Sequence, residues 1–412
     1  MTSTRSNLEG VRVGERELWL EGPPHELFRQ MRAECPVHWT DGVTEYPNEA
    51  GFWSVTRADD IHAVSRDWKT YSSELGGVTA VTEGFPIELL RAMFIGMDPP
   101  KHDRLKMLFQ AGFTPKRTAA HEPAIRRIVV DVLERLEGRE TCDLVTDVAQ
   151  PVVSRVIGSF MGIPPEDDAA WAALMNSALG AGDPDLNPGG VESVATKDIP
   201  EMFERCRRMI AERREHPTED LTSVLVHAEV DGQRLEEHEI VMGFFLLVAA
   251  GNDSTKATYC SGMRALMEHP EQRQILLDDP SLVSSAVEEC LRMFPAFAHF
   301  RRTTTCDTEL AGVPIRKGEK VVMWYASSNR DESRYEDPDT FDVRRNPEHQ
   351  AFGAGGRHFC LGTALARLEL TVMFEETLRR FPAMEPAGKP VMAESAFINQ
   401  HKKLPVRLAP AS

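Results

Sequence analysis

The sequence has 412 residues, of which 42% are hydrophobic and 27% charged, and its formal net charge is −17. This is the composition of a globular protein large enough to enclose a cofactor. We expect a single domain over residues 1–412, because no Ser/Gly/Pro-rich linker or repeat divides the chain. The acidic charge argues against sequence-independent binding to nucleic acid or to an anionic membrane surface.

The longest strongly apolar run covers residues 244–250 and is far too short to cross a bilayer. The first ten residues lack the apolar core of a signal peptide. We therefore expect a cytoplasmic protein without a membrane anchor. The seven cysteines are odd in number and contain no Cys-x-x-Cys pair, which argues against a disulfide scaffold or a zinc site.

The predicted elements begin with a mixed region and become mainly helical after residue 99. Strand-like pieces are predicted at residues 37–40 and 51–55, and a second β-like patch at 309–325. Helical periodicity predicts the following helices: 24–34, 125–136, 152–160, 171–179, 199–213, 236–268, 270–278, 281–293 and 363–374.

The predicted helix 236–268 is about 33 residues long, or roughly 50 Å at 1.5 Å per residue. Small and helix-unfavourable polar residues, 249–255, interrupt its apolar middle. Gly251 beside side chains that can bond back to the backbone predicts a local opening in the hydrogen-bond ladder. Such an opening would leave space above a flat cofactor.

Cys360 lies between a glycine-rich loop, residues 352–359, and the predicted helix 363–374. Glycines permit tight backbone turns, and N–H groups at a helix start stabilise a thiolate. Cys360 is therefore predicted to be an axial haem ligand. For a lone cysteine the alternative is an ordinary buried thiol, but His358 and Gly356, two and four residues before the sulfur, favour the ligand.

Residues 352–362 closely resemble the haem-binding loop of the cytochrome P450 family, Phe-x-x-Gly-x-His/Arg-x-Cys-x-Gly, whose cysteine thiolate is the fifth iron ligand. Phe352 stands eight residues before Cys360 instead of the usual seven, so the loop is longer by one residue. The resemblance implies a mainly α fold with a smaller β-rich part. It also implies haem b between the long central helix and the helix that follows the Cys loop.

Residues 250–255 resemble the family motif Ala/Gly-Gly-x-Asp/Glu-Thr-Thr. The resemblance implies that Asp253 relays protons and that Ser254, in place of threonine, orders water near dioxygen, with Thr255 completing the catalytic set. A polar face turned to solvent is the alternative. Serine keeps a hydroxyl that donates and accepts, but it lacks the methyl group that restricts side-chain rotation.

Two further motifs match the family in order. Glu289 and Arg292 match its Glu-x-x-Arg, which a later arginine joins; we favour Arg345 for that structural role, with Arg344 close behind. The resemblance further implies haem propionate partners and other cofactor contacts, namely His102, Lys106, Arg302, His358, Gly251, Phe352 and Gly353.

The resemblance implies an apolar substrate pocket with a lid at residues 180–190. The predicted pocket residues are Phe244, Phe245, Val248, Ala249, Ala296, Phe297 and Phe397. The walls are aliphatic and aromatic, which favours a hydrophobic small molecule. The Gly-Asn-Asp-Ser-Thr motif and the long glycine loop resemble those of bacterial family members, and this resemblance implies a sterol or steroid, a terpenoid or a branched lipid.

The implied activity is monooxygenation: hydroxylation of a C–H bond with O2 and two electrons. The chain has no flavin or nicotinamide fingerprint, so a ferredoxin and its reductase are the expected electron donors. A non-catalytic haem-thiolate sensor or carrier, a peroxide-driven peroxygenase and a cysteine hydrolase are the alternatives. The predicted docking patch for the donor is basic: Lys101, Arg104, Lys116, Arg117 and Arg357.

Overall fold

A computed structural model describes residues 8–81, 87–110, 112–179, 185, 188–230 and 232–409. The α-helices in these ranges are α1 His25–Glu34, α2 Ala58–Arg66, α3 Ile87–Ala92, α4 Lys101–Gln110, α5 Pro115–Ala120, α6 Glu122–Glu134, α7 Gln150–Met161, α8 Asp168–Leu179, α9 Gly190–Ser193, α10 Ile199–Glu215, α11 Leu221–His227, α12 Glu237–Glu268, α13 Pro270–Asp278, α14 Val283–Met293, α15 Tyr325–Ser328 and α16 Thr363–Arg380.

The strands are short and contribute the smaller part of the fold. They are β1 Val37–Thr40, β2 Phe52–Val55, β3 Tyr71–Ser72, β4 Thr141–Asp143, β5 Glu229–Val230, β6 Gln233–Arg234, β7 His299–Thr304, β8 Thr308–Leu310, β9 Val313–Ile315, β10 Lys320–Trp324, β11 Glu385–Pro386, β12 Val391–Met392, β13 His401–Lys403 and β14 Pro405–Arg407. Single turns of π-helix, Leu144–Ala149 and Val194–Asp198, lead into α7 and α10.

The largest sheet has five strands in the order β1-β2-β10-β7-β3. Strand β10 runs parallel to β2 and antiparallel to β7. All five residues of β10 are buried, as expected for a central strand covered on both faces. A three-stranded sheet, β11-β14-β4, joins the C-terminal part of the chain to the start of the π-turn before α7.

Helix α12 passes through the largest hydrophobic core and contacts α7, α8, α10, α14 and α16. A capping box starts it. The Glu236 backbone N–H donates to the Glu239 carboxylate, and the Glu239 backbone N–H donates to the Glu236 carboxylate. It ends at Glu268, two residues before Pro270, which has no N–H for a further helical bond. Because α12 is buried along most of its length, it can supply a wall to an internal cavity.

Most predicted spans agree with the structure to within three residues at each end, and the fold is mainly α with a smaller β part, as expected. Three expectations are corrected. The β-like patch 309–325 consists of three strands, with Tyr325 already in α15; helix 363–374 continues to Arg380; and α12 is continuous across residues 249–255. No helix among the described residues is long and apolar enough to span a membrane.

Candidate haem-binding site

One cavity lies between α12 and the segment formed by the Cys360 loop and α16. Its space, including the part open to solvent at the mouth, is about 1520 Å³. From the Cys360 side the lining includes Phe352, Gly353, His358 and Cys360, followed by Leu365, Ala366, Glu369 and Leu370 of α16.

The loop before the sulfur is held by backbone geometry that needs glycine. Gly353, Gly355 and Gly356 have φ of 96°, 82° and 77°, in the left-handed region. A Cβ on Gly356 would stand 2.5 Å from the carbonyl oxygen of Ser65 in α2. The Cys360 N–H donates to the Phe352 carbonyl over 2.9 Å. The longer loop is thus pressed against α2, with the sulfur facing the cavity.

The surroundings of Cys360 act on its thiol in opposite directions. Burial raises the pKa of the Cys360 thiol above its ordinary value, whereas the Gly362 N–H and the nearby cations of Lys106 and Arg367 favour the thiolate. A bound metal ion would add a far larger positive charge and hold the sulfur deprotonated. Arg367 also stacks on the Phe352 ring, 4.8 Å from its centroid, and pairs with Glu288 over 2.6 Å.

Buried cationic and imidazole groups gather at one end of the cavity. His102 is 1% exposed, its Nδ1–H donates to Asp103 over 2.9 Å, and its Nε2 has no partner among the described residues. Its ring lies 4.3 Å from that of His358. Arg302 is buried, and burial lowers the pKa of its guanidinium. A buried imidazole nitrogen without a partner and a desolvated guanidinium fit the two carboxylates of a haem.

Lys106 lines the same end of the cavity, but its contacts differ from those predicted. Its ammonium donates to the Phe359 carbonyl over 2.7 Å and to the Arg357 carbonyl. The lysine therefore holds the sulfur loop in place while it lines the cavity. Burial lowers the pKa of Lys106 from its ordinary value.

Helix α12 presents Ala250, Gly251, Ser254 and Thr255 to the cavity. Gly251 packs closely against α7: a Cβ there would stand 3.0 Å from Ile157 Cδ1. In place of the predicted opening in the ladder, the Ser254 hydroxyl donates to the Ala250 carbonyl over 2.7 Å. The oxygen of Ser254 then remains available as an acceptor.

Asp253 belongs to a different face of α12. It is fully buried, is not among the lining residues of the cavity, and pairs with Lys256 over 2.5 Å. Successive helical residues are rotated by about 100°, so a carboxylate next to Ser254 points well away from it. The structure therefore brings Ser254 and Thr255 to the cavity and Asp253 behind them.

Some of the predicted pocket residues line the cavity and others do not. Ala296 and Phe297 line the cavity, and Phe397 packs on Phe297 with ring centroids 5.2 Å apart without reaching the lining. The structure corrects the four predicted residues of α12, which do not reach the cavity. Phe244 stacks on Trp171, Phe245 packs on Phe203, and Val248 and Ala249 are buried on other sides of α12.

Leu246 and Leu247 are the large apolar residues of α12 among the described residues that line the cavity, with Phe94, Ile95, Ile157 and Phe300 from other segments. Most of the predicted lid, residues 180–190, lies outside the described residues.

Glu369 of α16 is a cavity residue that the sequence reasoning missed. It is buried, hydrogen-bonds with Thr255, and has its Oε1 without a partner among the described residues. Burial raises the pKa of the Glu369 carboxyl to about 8, so the group is mostly a neutral acid at pH 7. A lone glutamate between Leu368 and Leu370 was the available sequence signal.

Behind the sulfur loop, Glu289 and Arg292 form a fully buried bidentate pair of 2.7 Å contacts. Arg345 Nε donates to Glu289 over 3.3 Å, so Arg345 is the third member; the contact found for Arg344 is its N–H to Asp342. Arg292 also donates to the carbonyls of Asn329 and Pro338. The triad therefore anchors the segment that leads to the loop.

The fold and site define a haem-thiolate protein: a cysteine in a glycine loop faces a cavity whose far wall is a long helix and whose end carries cations. Comparisons with known proteins agree. The Cytochrome P450 family model matches residues 191–407. A methyl-branched lipid omega-hydroxylase of Mycobacterium tuberculosis is 38% identical over 407 residues, 96% of this chain and 94% of that protein.

A steroid C26-monooxygenase of Rhodococcus jostii is 30% identical over 98% of this chain and 86% of that one. A Mycobacterium marinum cytochrome P450 solved with pseudoionone has a TM-score of 0.90 and 36% identity, covering 99% of this chain and 100% of that one. The chain belongs to the cytochrome P450 family. It is a haem b monooxygenase with the P450 fold.

Proposed function

We propose that this protein hydroxylates the branched aliphatic end of an apolar molecule, such as a methyl-branched lipid, a steroid side chain or an acyclic terpenoid. The observation that carries the proposal is the distribution of charge in the cavity. Among the described lining residues the ionisable nitrogen groups are His102, Lys106, Arg302 and His358, all at the cofactor end. The wall formed by Leu246, Leu247, Phe297 and Phe300 is apolar.

An apolar wall without a fixed charge favours an uncharged hydrocarbon segment near the reacting position. Leu246, Leu247 and Phe297 would enclose that segment, and the cluster of Phe297, Phe300 and Phe397 stiffens one side. A polar head group on the substrate would then remain toward the mouth. The names of two relatives, an omega-hydroxylase of methyl-branched lipids and a steroid C26-monooxygenase, support this substrate class.

We assign roles to the site residues on the same basis. Cys360 would ligate the haem iron, and His102, Arg302 and His358 would bind the propionates. Bound haem supplies the activation of O2 for insertion into a C–H bond. Ser254 would accept a hydrogen bond from a water in the cavity, since its own proton is donated to Ala250. Thr255 and Glu369 would continue that chain of hydroxyl and carboxyl groups.

We assign proton supply to Asp253, which lies next to Ser254 but outside the cavity. A positioned carboxylate that exchanges protons contributes roughly 10²- to 10⁴-fold to a reaction that needs them. Because the Asp253 carboxylate points away from Ser254, a proton from it would reach the cavity by way of water. This arrangement keeps a charged group out of the apolar part of the cavity.

Electrons would come from a ferredoxin and its reductase through the predicted basic patch. Three of its cations are already paired: Lys101 with Glu74, Arg104 with Glu239, and Arg357 with Asp103. Lys116 and Arg117 at the start of α5 are exposed. Reversing Lys116 and Arg117 to glutamate should slow reduction by ferredoxin at low salt, and the difference should vanish at high salt. An unchanged rate and salt dependence would refute this docking site.

The substrate proposal is tested with matched ligands. A methyl-branched fatty acid, an acyclic terpenoid and a steroid with an aliphatic side chain are each compared with an unbranched analogue of equal carbon number. Displacement of the distal water is followed in the haem absorption, and products formed under oxygen-18 gas with ferredoxin, its reductase and NADH are identified by mass spectrometry. We expect one labelled hydroxyl at the branched end.

Two outcomes would contradict the proposal. Preference for the unbranched analogues would exclude the substrate class, and binding without oxygen-18 incorporation would leave a carrier. Hydrogen peroxide in place of the donor proteins tests the peroxygenase alternative in the same mixtures. Widening the apolar wall with Phe297→Ala should weaken binding of the preferred ligand. Phe203→Ala is the matched control, because Phe203 of α10 packs on Phe245 of α12 and is not among the cavity lining residues.

A further inference from the structure

A buried lysine on α12 stands one helical turn after Asp253. The side chains of Lys256 and Asp253 are 5% and 0% exposed, and Nζ lies 2.5 Å from Asp253 Oδ1. A lysine is rarely buried unless it is paired, because its ammonium loses much solvation energy. The position therefore needs an explanation beyond the i, i+3 pairing that helix surfaces often contain.

The ammonium of Lys256 has three protein partners from three helices. Besides Asp253 it donates to Gln150 Oε1 of α7 over 2.8 Å and to Asn176 Oδ1 of α8 over 3.0 Å. An ammonium has three N–H donors, so its hydrogen-bonding capacity is filled. Lys256 consequently ties α7 and α8 to the segment of α12 that passes the cavity.

The same network fixes one oxygen of Asp253 and leaves the other open. Asn252 Nδ2 also donates to Asp253 Oδ1, over 3.2 Å, and Asn252 Oδ1 accepts from Gln150 and Ser154. Asp253 Oδ2 is buried and has no partner among the described residues. One oxygen is thus anchored by two donors, and the other is held by none of the described residues.

The contact of Lys256 with Asn176 links the Asp253 carboxylate to α8. Asn176 lies three residues before the end of α8, just ahead of residues 180–190. A shift of α8 would remove one of the three contacts of Lys256 and change the hold on Asp253. The position of α8 and the orientation of the carboxylate are therefore physically coupled.

We propose that Lys256 is a positioning residue: it holds Asp253 Oδ1 so that Oδ2 serves proton supply, and through Asn176 it makes that supply depend on the position of α8. The inference rests on the proposed function in one respect, the proton-supplying role of Asp253. The contacts themselves are independent of it. The experiment accordingly has two readouts.

The first readout is a double-mutant cycle on the haem-loaded enzyme with its electron donors. Lys256→Met should reduce the product formed per NADH consumed by roughly threefold to tenfold, a part of the 10²–10⁴ that positioned proton transfer contributes. Peroxide release should rise in parallel. In an Asp253→Asn background the same substitution should have no further effect, because the two residues act as a unit.

Additive losses in the cycle would overturn the proposal, since Lys256 would then act independently of Asp253. Lys256→Gln, which keeps a hydrogen-bond donor, provides a second neutral variant if Lys256→Met does not fold. Arg155→Met is the matched control: Arg155 also joins α7 to α8, through Asp168 at 3.0 Å, without touching Asp253. Its product yield per NADH should remain that of the wild type.

The second readout is amide hydrogen exchange in the second half of α8, measured on the haem-loaded protein without turnover. Lys256→Met and Asn176→Ala should both speed exchange there, whereas Asp253→Asn should do so less. Unchanged exchange in both would refute the link to α8. If the wild type yields no hydroxylated product at all, the proposed function fails, and the exchange data still decide whether Lys256 fixes α8.

Discussion

The buried acid Glu369 leads to a quantitative prediction about pH and stability. Its carboxyl hydrogen-bonds with Thr255 and lines the cavity, and burial raises its pKa from the ordinary 4.5 of a glutamate to about 8. The folded protein therefore binds a proton that the unfolded chain releases between these two pH values. Replacement by glutamine keeps the shape and removes the titration.

The sign follows from proton linkage. Because the folded pKa is the higher one, the stabilising effect of protonation is complete below about pH 4.5 and is lost as the pH rises through about 8. One pH unit corresponds to about 1.4 kcal/mol. Over the window from pH 6 to pH 9, the free energy of unfolding of the wild type should fall relative to Glu369→Gln by roughly 2–3 kcal/mol.

The assay is urea unfolding of the haem-loaded protein and its Glu369→Gln variant at several pH values between 6 and 9, with equal slopes required for comparison. Glu204→Gln is the control, since the Glu204 side chain is 64% exposed and pairs only with Arg207 across one helical turn. We expect the free energy of unfolding of Glu369→Gln to exceed that of the wild type as the pH rises. A constant difference across the range would refute the buried neutral acid.

Three further predictions concern the sulfur loop and its support. Cys360→Ser should keep its fold by circular dichroism and lose the red-shifted carbon monoxide band of a thiolate-ligated haem. Glu289→Gln should lower the free energy of unfolding by about 3–5 kcal/mol, because it breaks a fully buried ion pair, whereas exposed Glu385→Gln should cost about 0–1 kcal/mol. Gly356→Ala should reduce haem retention more than Gly312→Ala, since both have positive φ but only the first meets a backbone atom.

The residues that line the cofactor end of the cavity could be named from the sequence, because they lie in short local motifs. Cys360, His358 and the glycines occupy one loop, and the spacing of that loop is visible without tertiary information. Arg302 and His102 come from distant segments, yet each stands in its own family motif. The structure brings all of them to one cavity.

The apolar walls could not be assigned in the same way. Helix α12 is hydrophobic on nearly every side, so its pattern does not reveal which side faces the cavity. Phe244 and Phe245 were therefore as good candidates as Leu246 and Leu247, and the structure selects the latter. Packing against Trp171 and other neighbours decides the rotation of the helix, and that information is not local.

Glu369 and Lys256 illustrate the other limit of sequence reasoning. A charged residue inside an apolar helix signals that something unusual pairs with it, but the partners of Lys256 are 80 and 106 positions away, at Asn176 and Gln150. Neither partner carries a family motif. The two buried acids, Glu369 and Asp253, also differ. Glu369 is a neutral acid that faces the cavity, and Asp253 is an ion-paired carboxylate behind it. Glu369 hydrogen-bonds with Thr255 and lines the cavity, whereas Asp253 is paired with Lys256, so of these two acids it is the one outside the family motif that reaches the cavity.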